Sequence, residues 1–504
     1  FTYLALATGI ILVIVILINI ANLSTIRAVD AIRMNGIRKI LGASQKQILL
    51  YQLVQLLTLY GISLIIAATL FQVLSGYFAE LTGIIVVPTE HLGLLLAFAF
   101  IFLLLILGTG LLVDRLSLQI KAVHALKNHV SGQLPGSRLR KIMVVFQFII
   151  TGLVISCLLV LVLQWRYIKN KDLGFNTENV AVISILNGEV NAHVLKNELV
   201  SLMGADNVSL GTWGTIPGGD VSFTTATLPH SNIDNPVNIV TYDENFLKVF
   251  GIEVREGTVP SKNVMEERLT QPILINQTLA QLIENPIDEQ ITVTWFTASV
   301  QGIIEDYNYQ SLHNVIQPLI MIPQGERYEN YTHVFIKTPL SKVQEIESIL
   351  TNELTPSDYT FQMMDDHLLS KYNEEQKSIS LFIYFSLICL LIAILGILGV
   401  VTYALKKREY EIGIRKILGA QMKHLYLLFA SEMLVLLTIS GIICIPLAIY
   451  LKERILQIYA FQVTFNWWYF FLPMFLIVIT AMALVIFKIN STGKVNPVNL
   501  LREE

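Results

Sequence analysis

Of 504 residues, 54% are hydrophobic and only 14% are charged, and the mean hydropathy is +0.60, which excludes an ordinary soluble domain and points to a membrane protein. A net charge of -3 argues against a nucleic-acid partner, because a near-neutral surface gains little by displacing counterions from a phosphate backbone. Cys157, Cys389 and Cys444 all fall inside apolar runs, as small hydrophobes with no disulfide or metal-ligand spacing.

Phe1 already lies in an apolar stretch with no basic segment before it, so the chain reads as a fragment or processed form rather than one led by a signal peptide. Crossing the hydrocarbon core as a helix takes about 20 apolar residues. Seven segments qualify: 1–22, 47–71, 92–113, 142–164, 378–404, 424–451 and 468–487. Lys and Arg beside short loops are retained on the cytoplasmic side. Segments 23–46, 114–141, 405–423 and 488–504 hold five, six, six and three of them, whereas 72–91 holds none and 452–467 holds Lys452 and Arg454. This bias places the start of the chain outside, its end inside, and residues 165–377 in one large extracytoplasmic domain. Trp165, Tyr167, Trp467, Trp468 and Tyr469 stand at outer span ends, as an interfacial aromatic belt does.

The outer segment reads as mixed α/β, large enough for its own core, in one or two subdomains. Strand-like runs start at Val180 (VAVISI), Gln271 (QPILINQT), Ile291 (ITVTW) and His333 (HVFIKT), and helical stretches lie near 191–203, 276–283 and 340–352.

The most informative feature is a repeat. Residues 36–43 and 413–420 are the same octapeptide, GIRKILGA, each preceded by one apolar span and followed by two more. Gln55 takes the place of Glu432, and AVHALK (Ala122–Lys127) resembles PVNLLR (Pro497–Arg502). Within the octapeptide Ile37, Ile40 and Leu41, like Ile414, Ile417 and Leu418, form an apolar stripe, while Arg38, Lys39, Arg415 and Lys416 are polar. Gly42 and Gly419 then end a short helix. A basic loop lying on anionic lipid is the plain reading of either copy alone. Topology needs only positive charge, so eight identical residues point to two equivalent contacts with a two-fold partner.

REYEIGIRKILGA (Arg408–Ala420) followed by Glu432 resembles the cytoplasmic signature of the FtsX-like permease family of ABC transporters, in its MacB-type branch with a periplasmic core domain. The resemblance continues through LRKIMVVFQF (Leu139–Phe148), NKDLGFNTENV (Asn170–Val180), QGIIEDYNYQSLH (Gln301–His313) and NPVNLLREE (Asn496–Glu504). It implies a permease of eight spans, of which this chain lacks the first span and first periplasmic domain. It also implies coupling to a separate ATPase through Gly36, Ile37, Arg38, Lys39, Gly42, Glu411, Gly413, Ile414, Arg415, Lys416 and Gly419. Met34 stands where the second copy has Glu411, so the two halves are expected to couple unequally.

No G-x-x-x-x-G-K-[ST] loop is present in the sequence, since Gly493-Lys494 is followed by Val495 and lacks the upstream glycine. The nine histidines show no H-E-x-x-H spacing, so no metal is expected. GTWGTIPGGD (Gly211–Asp220) reads as a connecting loop rather than a phosphate cradle, and Glu305 and Asp306, adjacent on a strand, point to opposite faces. Asn19, Asn22, Gln52, Gln55, Gln147 and Glu432 are polar within spans and chiefly join helices. Glu432, with Gln55 opposite it in the repeat, is the intramembrane position of most interest, because an ionisable residue there needs a partner or a task.

The expected architecture is thus a membrane α-helical bundle of seven spans with a duplicated three-span unit, plus a mixed α/β extracytoplasmic domain. The units are 1–113, linker 114–141, span 142–164, periplasmic core 165–377, second three-span unit 378–487 and tail 488–504. The expected protein is a non-enzymatic permease subunit of the bacterial inner membrane. It binds no cofactor itself, uses ATP through two copies of a separate ABC ATPase, and exports or extracts a drug, peptide or lipoprotein. A periplasmic adaptor, hydrolase or substrate protein and the lipid bilayer complete its partners. The rival expectation is a mechanotransmitting regulator of an envelope enzyme or sensor kinase; an ion-coupled transporter lacks charges near span centres.

Overall fold

The structure is a computed structural model that describes residues 2–82, 87–118, 137–188, 190–229, 233–260, 270–294, 296–324, 330–407 and 422–493. The chain divides into a membrane unit, 1–163 with 376–455 and 464–504, and an outer unit, 164–375 with 456–463.

In the membrane unit α1 (Thr2–Ile40), α2 (Gln45–Thr82) and α3 (Leu92–Leu118) come first. α1 runs unbroken from the expected first span through the basic segment to the octapeptide, replacing the expected separate short helix. Residues 23–35 contain neither Gly nor Pro, so nothing interrupts the hydrogen-bond ladder. The unit is completed by α4 (Ser137–Lys169) and, after the outer segment, by helices over Asn373–Lys407, Met422–Leu456 and Phe471–Gly493, here α10, α11 and α12. These four share one core in which Val144 and Phe148 meet Ile397, Val401, Met433, Leu437, Ile477 and Val485.

Five stretches among the described residues are long and apolar enough to cross a membrane: Gln45–Glu80, Arg140–Lys169, Asn373–Thr402, Phe429–Leu456 and Trp467–Asn490. The other two expected spans, 1–22 and 92–113, fall in α1 and α3, where the apolar helical stretches are the shorter Thr8–Ile20 and Leu95–Gly108.

The outer unit holds β1 (Val180–Ile185), α5 (Ala192–Met203), β2 (Val208–Gly211), β3 (Ser222–Thr227), β4 (Asp234–Tyr242), α6 (Phe246–Phe250), β5 (Val254–Gly257), β6 (Gln271–Asn276) and α7 (Gln277–Ala280). Then follow β7 (Gln290–Val293), β8 (Phe296–Ile304), β9 (Leu319–Pro323), β10 (His333–Lys337), α8 (Val343–Glu353), β11 (Tyr359–Met363) and α9 (Met364–Lys371). The sheet order is β11-β1-β10-β2-β4-β3-β7-β8-β6-β9, with β5 on β8. Its first four strands are all antiparallel neighbours. With α5 and α8 they make a split βαβ pair, β1-α5-β2 and β10-α8-β11, interrupted by the insertion that carries β3 to β9. A parallel pairing of β4 with β9 closes that insertion on itself, through β3, β7, β8 and β6, into a barrel.

β1, β2, β6, β9 and the middle of β10 are buried on both faces, so most of them read as continuous apolar runs, whereas β3 and β7 alternate buried and exposed positions. On β6, Ile273 and Ile275 enter the barrel core while Leu274 enters the aromatic core of Tyr242, Phe246, Phe250 and Phe335. On β10, Phe335 enters that same aromatic core, and Val334 and Ile336 turn to the layer under α5 and α8. Asp243, at the end of β4, is buried and ties the layers together. It accepts hydrogen bonds from Lys196 Nζ at 2.6 Å, Ser209 Oγ at 2.6 Å and the Leu210 amide at 2.9 Å. Asp306 accepts from the Thr278 amide (3.1 Å) and hydroxyl (2.7 Å) at the start of α7, whereas Glu305 pairs with Arg255. The adjacent acids thus take divergent, structural roles.

Candidate functional site

The first GIRKILGA copy forms the tip of a helical hairpin. Gly42 has φ +92°, Ala43 N–H donates to Arg38 O at 2.9 Å, and Gly42 N–H donates to Lys39 O at 3.1 Å. That pair of bonds is a Schellman stop, and the positive φ is why glycine occupies the position. Ser44 starts α2 with a capping box: Gln47 N–H donates to Ser44 Oγ at 3.4 Å while Ser44 N–H donates to Gln47 Oε1 at 2.8 Å. One helix therefore stops and the next begins within a few residues, and the Arg38 guanidinium, 4.0 Å above the Tyr51 ring, bridges the two. The hairpin presents exposed apolar side chains at Met34, Ile37, Ile40 and Leu41 beside Arg38 and Lys39.

At 1.5 Å per residue α1 is about 58 Å long, roughly twice a hydrocarbon core of about 30 Å. Its apolar stretch, Thr8–Ile20, ends well before the octapeptide at the other end of the helix. The second octapeptide, with Glu411, Gly413, Ile414, Arg415, Lys416 and Gly419, lies outside the described residues.

The polar positions within helices separate by role. Gln147 is fully buried, donates from Nε2 to Ile392 O at 3.1 Å, and its amide lies where a side chain on Gly396 would begin. Ser440 Oγ reaches Val145 O at 3.3 Å. Both join helices, the role expected of polar span residues. Glu432 has a partner, Lys141 Nζ at 2.6 Å, which sequence reading passed over although LRKIMVVFQF contains it. Asn19 and Asn22 are buried, whereas Gln55 is exposed on α2. Glu432 and Gln55, paired by the repeat, thus lie in different environments.

A second cluster, in the outer unit, was not singled out from the sequence. His313 follows β8 at the end of the QGIIEDYNYQSLH run. Its Nε2 lies 3.0 Å from Glu375 Oε1 and its Nδ1 lies 2.8 Å from Ser311 Oγ. Its ring stacks on Tyr372 (centroids 5.7 Å apart) and on Tyr459 (5.0 Å). Tyr372 OH accepts from the Leu312 amide at 2.9 Å, and Trp165 meets the Tyr372 ring edge-on. Burial pushes the Tyr459 phenol up to about 12, helped by the charges of Glu375 and Tyr372. The only sequence signal for this cluster was a histidine closing a polar-aromatic motif.

Comparison with known proteins places these elements. Residues 383–497 match the FtsX-like permease C-terminal family. The macrolide export ATP-binding/permease proteins MacB of Salmonella paratyphi A and Salmonella typhi are each 23% identical over 238 residues, covering 44% of this chain and 37% of the relative. The chain carries an FtsX-like permease C-terminal domain and is similar to permeases of the MacB type. The aligned region thus spans little more than a third of the curated relatives' length. Among solved structures, those similar to this chain include the periplasmic region of MacB from Actinobacillus actinomycetemcomitans, with TM-score 0.30, 13% identity, and 40% of this chain and 95% of that one covered. Another is the extracellular domain of the noncanonic ABC-type transporter YknZ from Gram-positive bacteria, with TM-score 0.28, 12% identity, and 36% and 100% covered.

Proposed function

We propose that this permease is a seven-span inner-membrane subunit without ATPase activity of its own, in which a separate pair of ABC ATPases drives displacement of the periplasmic outer unit to export or extract a drug, peptide or lipoprotein. The hairpin at Gly42 carries the reading. A rigid, capped corner at the end of a 39-residue helix exposes apolar Ile37, Ile40 and Leu41 to the aqueous side, flanked by two cations. Exposed apolar surface with basic neighbours suits insertion into a groove of another protein with an acidic rim. ATP enters only through that partner. α4 and α10 each run continuously between the membrane and outer units, which gives the stroke a covalent route.

The test is co-purification of the ATPase with the full chain from membranes. Charge reversal at Arg38, Lys39, Arg415 and Lys416 is expected to abolish capture. Undiminished capture defeats the docking reading.

A further inference from the structure

The outer unit contains a piece of chain that sequence order assigns elsewhere. Residues 456–463 connect the membrane helices α11 and α12, yet they pack with Gln164–Glu375. A short loop between two spans would ordinarily be solvated and held only by its ends. This one is held at three points.

The first is Gln164, buried at 1% exposure in the last turns of α4. Its Nε2 donates to Phe461 O at 2.8 Å and its Oε1 accepts from Val463 N–H at 3.0 Å, so one amide satisfies two backbone groups of the loop. The second is Lys171, whose Nζ lies 4.3 Å from the centre of the Phe461 ring. The third is His313, on which Tyr459 stacks at an interplanar angle of 24°. His313 simultaneously engages Glu375 at the start of α10 and stacks on Tyr372 at the end of α9. Leu312, Ile168 and Tyr372 form a small apolar core beneath, with Tyr459 and Phe461 packed on it.

We infer that loop 456–463 is a third load path into the outer unit, clamped by Gln164 and pinned by His313, so that displacement of α11 and α12 reaches the outer unit directly as well as through α4 and α10. His313 is the positioning residue, because from the β8–β9 connection it stacks on Tyr372 at the α9–α10 junction and on Tyr459 of the loop, and reaches Glu375 at the start of α10. The grip stands on the geometry of the outer unit, while its mechanical use rests on the ATPase-driven reading above.

Hydrogen–deuterium exchange on the purified full chain tests the two parts separately. Without ATPase, Gln164→Leu, His313→Ala and Tyr459→Leu are each expected to speed exchange across 456–463 about tenfold. His313→Phe, which retains a ring for stacking, is expected to exchange more slowly there than His313→Ala. Tyr459→Leu removes a loop side chain from outside the domain cores and serves if the His313 variants fail to fold. Wild-type exchange in Gln164→Leu and Tyr459→Leu overturns the grip. In the complex with the co-purified ATPase, AMP-PNP is expected to change exchange at both 456–463 and 305–313 in the wild type, and only at 456–463 in Tyr459→Leu. A full response at 305–313 in that variant overturns the load path. No nucleotide response anywhere in the wild-type complex overturns the load path together with the ATPase-driven reading, and leaves the grip, read without ATPase, standing.

Discussion

Gly42 offers a sharp perturbation of the docking hairpin, because a side chain there meets nothing within 4 Å and the penalty is purely conformational. At φ +92° an L-residue enters a region that costs roughly 1–2 kcal/mol for a residue with a Cβ, with β-branched side chains at the upper end. That range corresponds to a factor of about 5–30 in the population of the correctly turned hairpin. Where docking requires this turn, apparent affinity falls by the same factor once the competent fraction becomes limiting. Gly42→Val is therefore expected to weaken ATPase binding about thirtyfold and Gly42→Ala about fivefold, whereas Gly42→Asn, which tolerates the left-handed region, stays within about twofold. The assay is a binding isotherm of the purified ATPase on full-length permease in nanodiscs. Equal damage from Asn and Val, or none from Val, refutes the argument that the turn presents the docking face.

Two further outcomes follow from the packing. Burial, reinforced by the charge of His367, lowers His333 to about 4, below its unfolded value near 6.5. Between those values the unfolded chain binds the extra proton, so the contribution is intact above pH 6.5 and is lost, by about 3 kcal/mol, as pH falls toward 4. Thermal unfolding of the full chain from pH 7 to pH 4.5 is expected to show a shallower decline in His333→Gln. An unchanged slope removes His333 as its source; His367, also lowered by burial, leaves a residual decline. In the membrane unit, a Cβ on Gly152 would lie 2.8 Å from Cys444 Sγ and 3.1 Å from Met474 Sδ. Gly152→Ala is expected to destabilise the bundle by roughly 1–3 kcal/mol, and adding Cys444→Ala should recover much of that loss. If unfolding midpoints show strict additivity, the two residues do not meet.

The parts legible in sequence were those whose signal is local. The runs at Val180, Gln271, Ile291 and His333 became β1, β6, β7 and β10, because β-branched residues in short bounded runs suit strands whatever their neighbours. β4 escaped notice since Asn235, Pro236 and Asn238 are poor strand residues. Pro236 is tolerated there because β4 pairs only with β3 at that level, leaving its other edge without a ladder bond to lose. The barrel closure of β4 on β9 joins positions about eighty residues apart and has no local signature. Basic residues between apolar runs were read as a loop in segment 23–46, where the structure continues α1, since positive charge sets topology but does not break a helix. Of the candidate site, the glycine stop and the apolar stripe were visible in the octapeptide, whereas Lys141 beside Glu432 and Gln164 beneath Phe461 depend on contacts across roughly three hundred residues.

The sequence differences between the two copies extend past the octapeptide itself. Met34 in place of Glu411 was the visible difference, but the hairpin depends on residues beyond the repeat. Ser44, whose hydroxyl caps α2, corresponds to Gln421, and Tyr51, which holds Arg38, corresponds to Leu428. Losing a Ser cap costs about 1 kcal/mol, and an exposed cation–π contact contributes about 0.5–1 kcal/mol. These are comparable to the cost assigned to a side chain at Gly42. Identical docking residues are thus followed by different sequences in the two copies, and the first corner draws its cap and its cation–π contact from positions the octapeptide does not include.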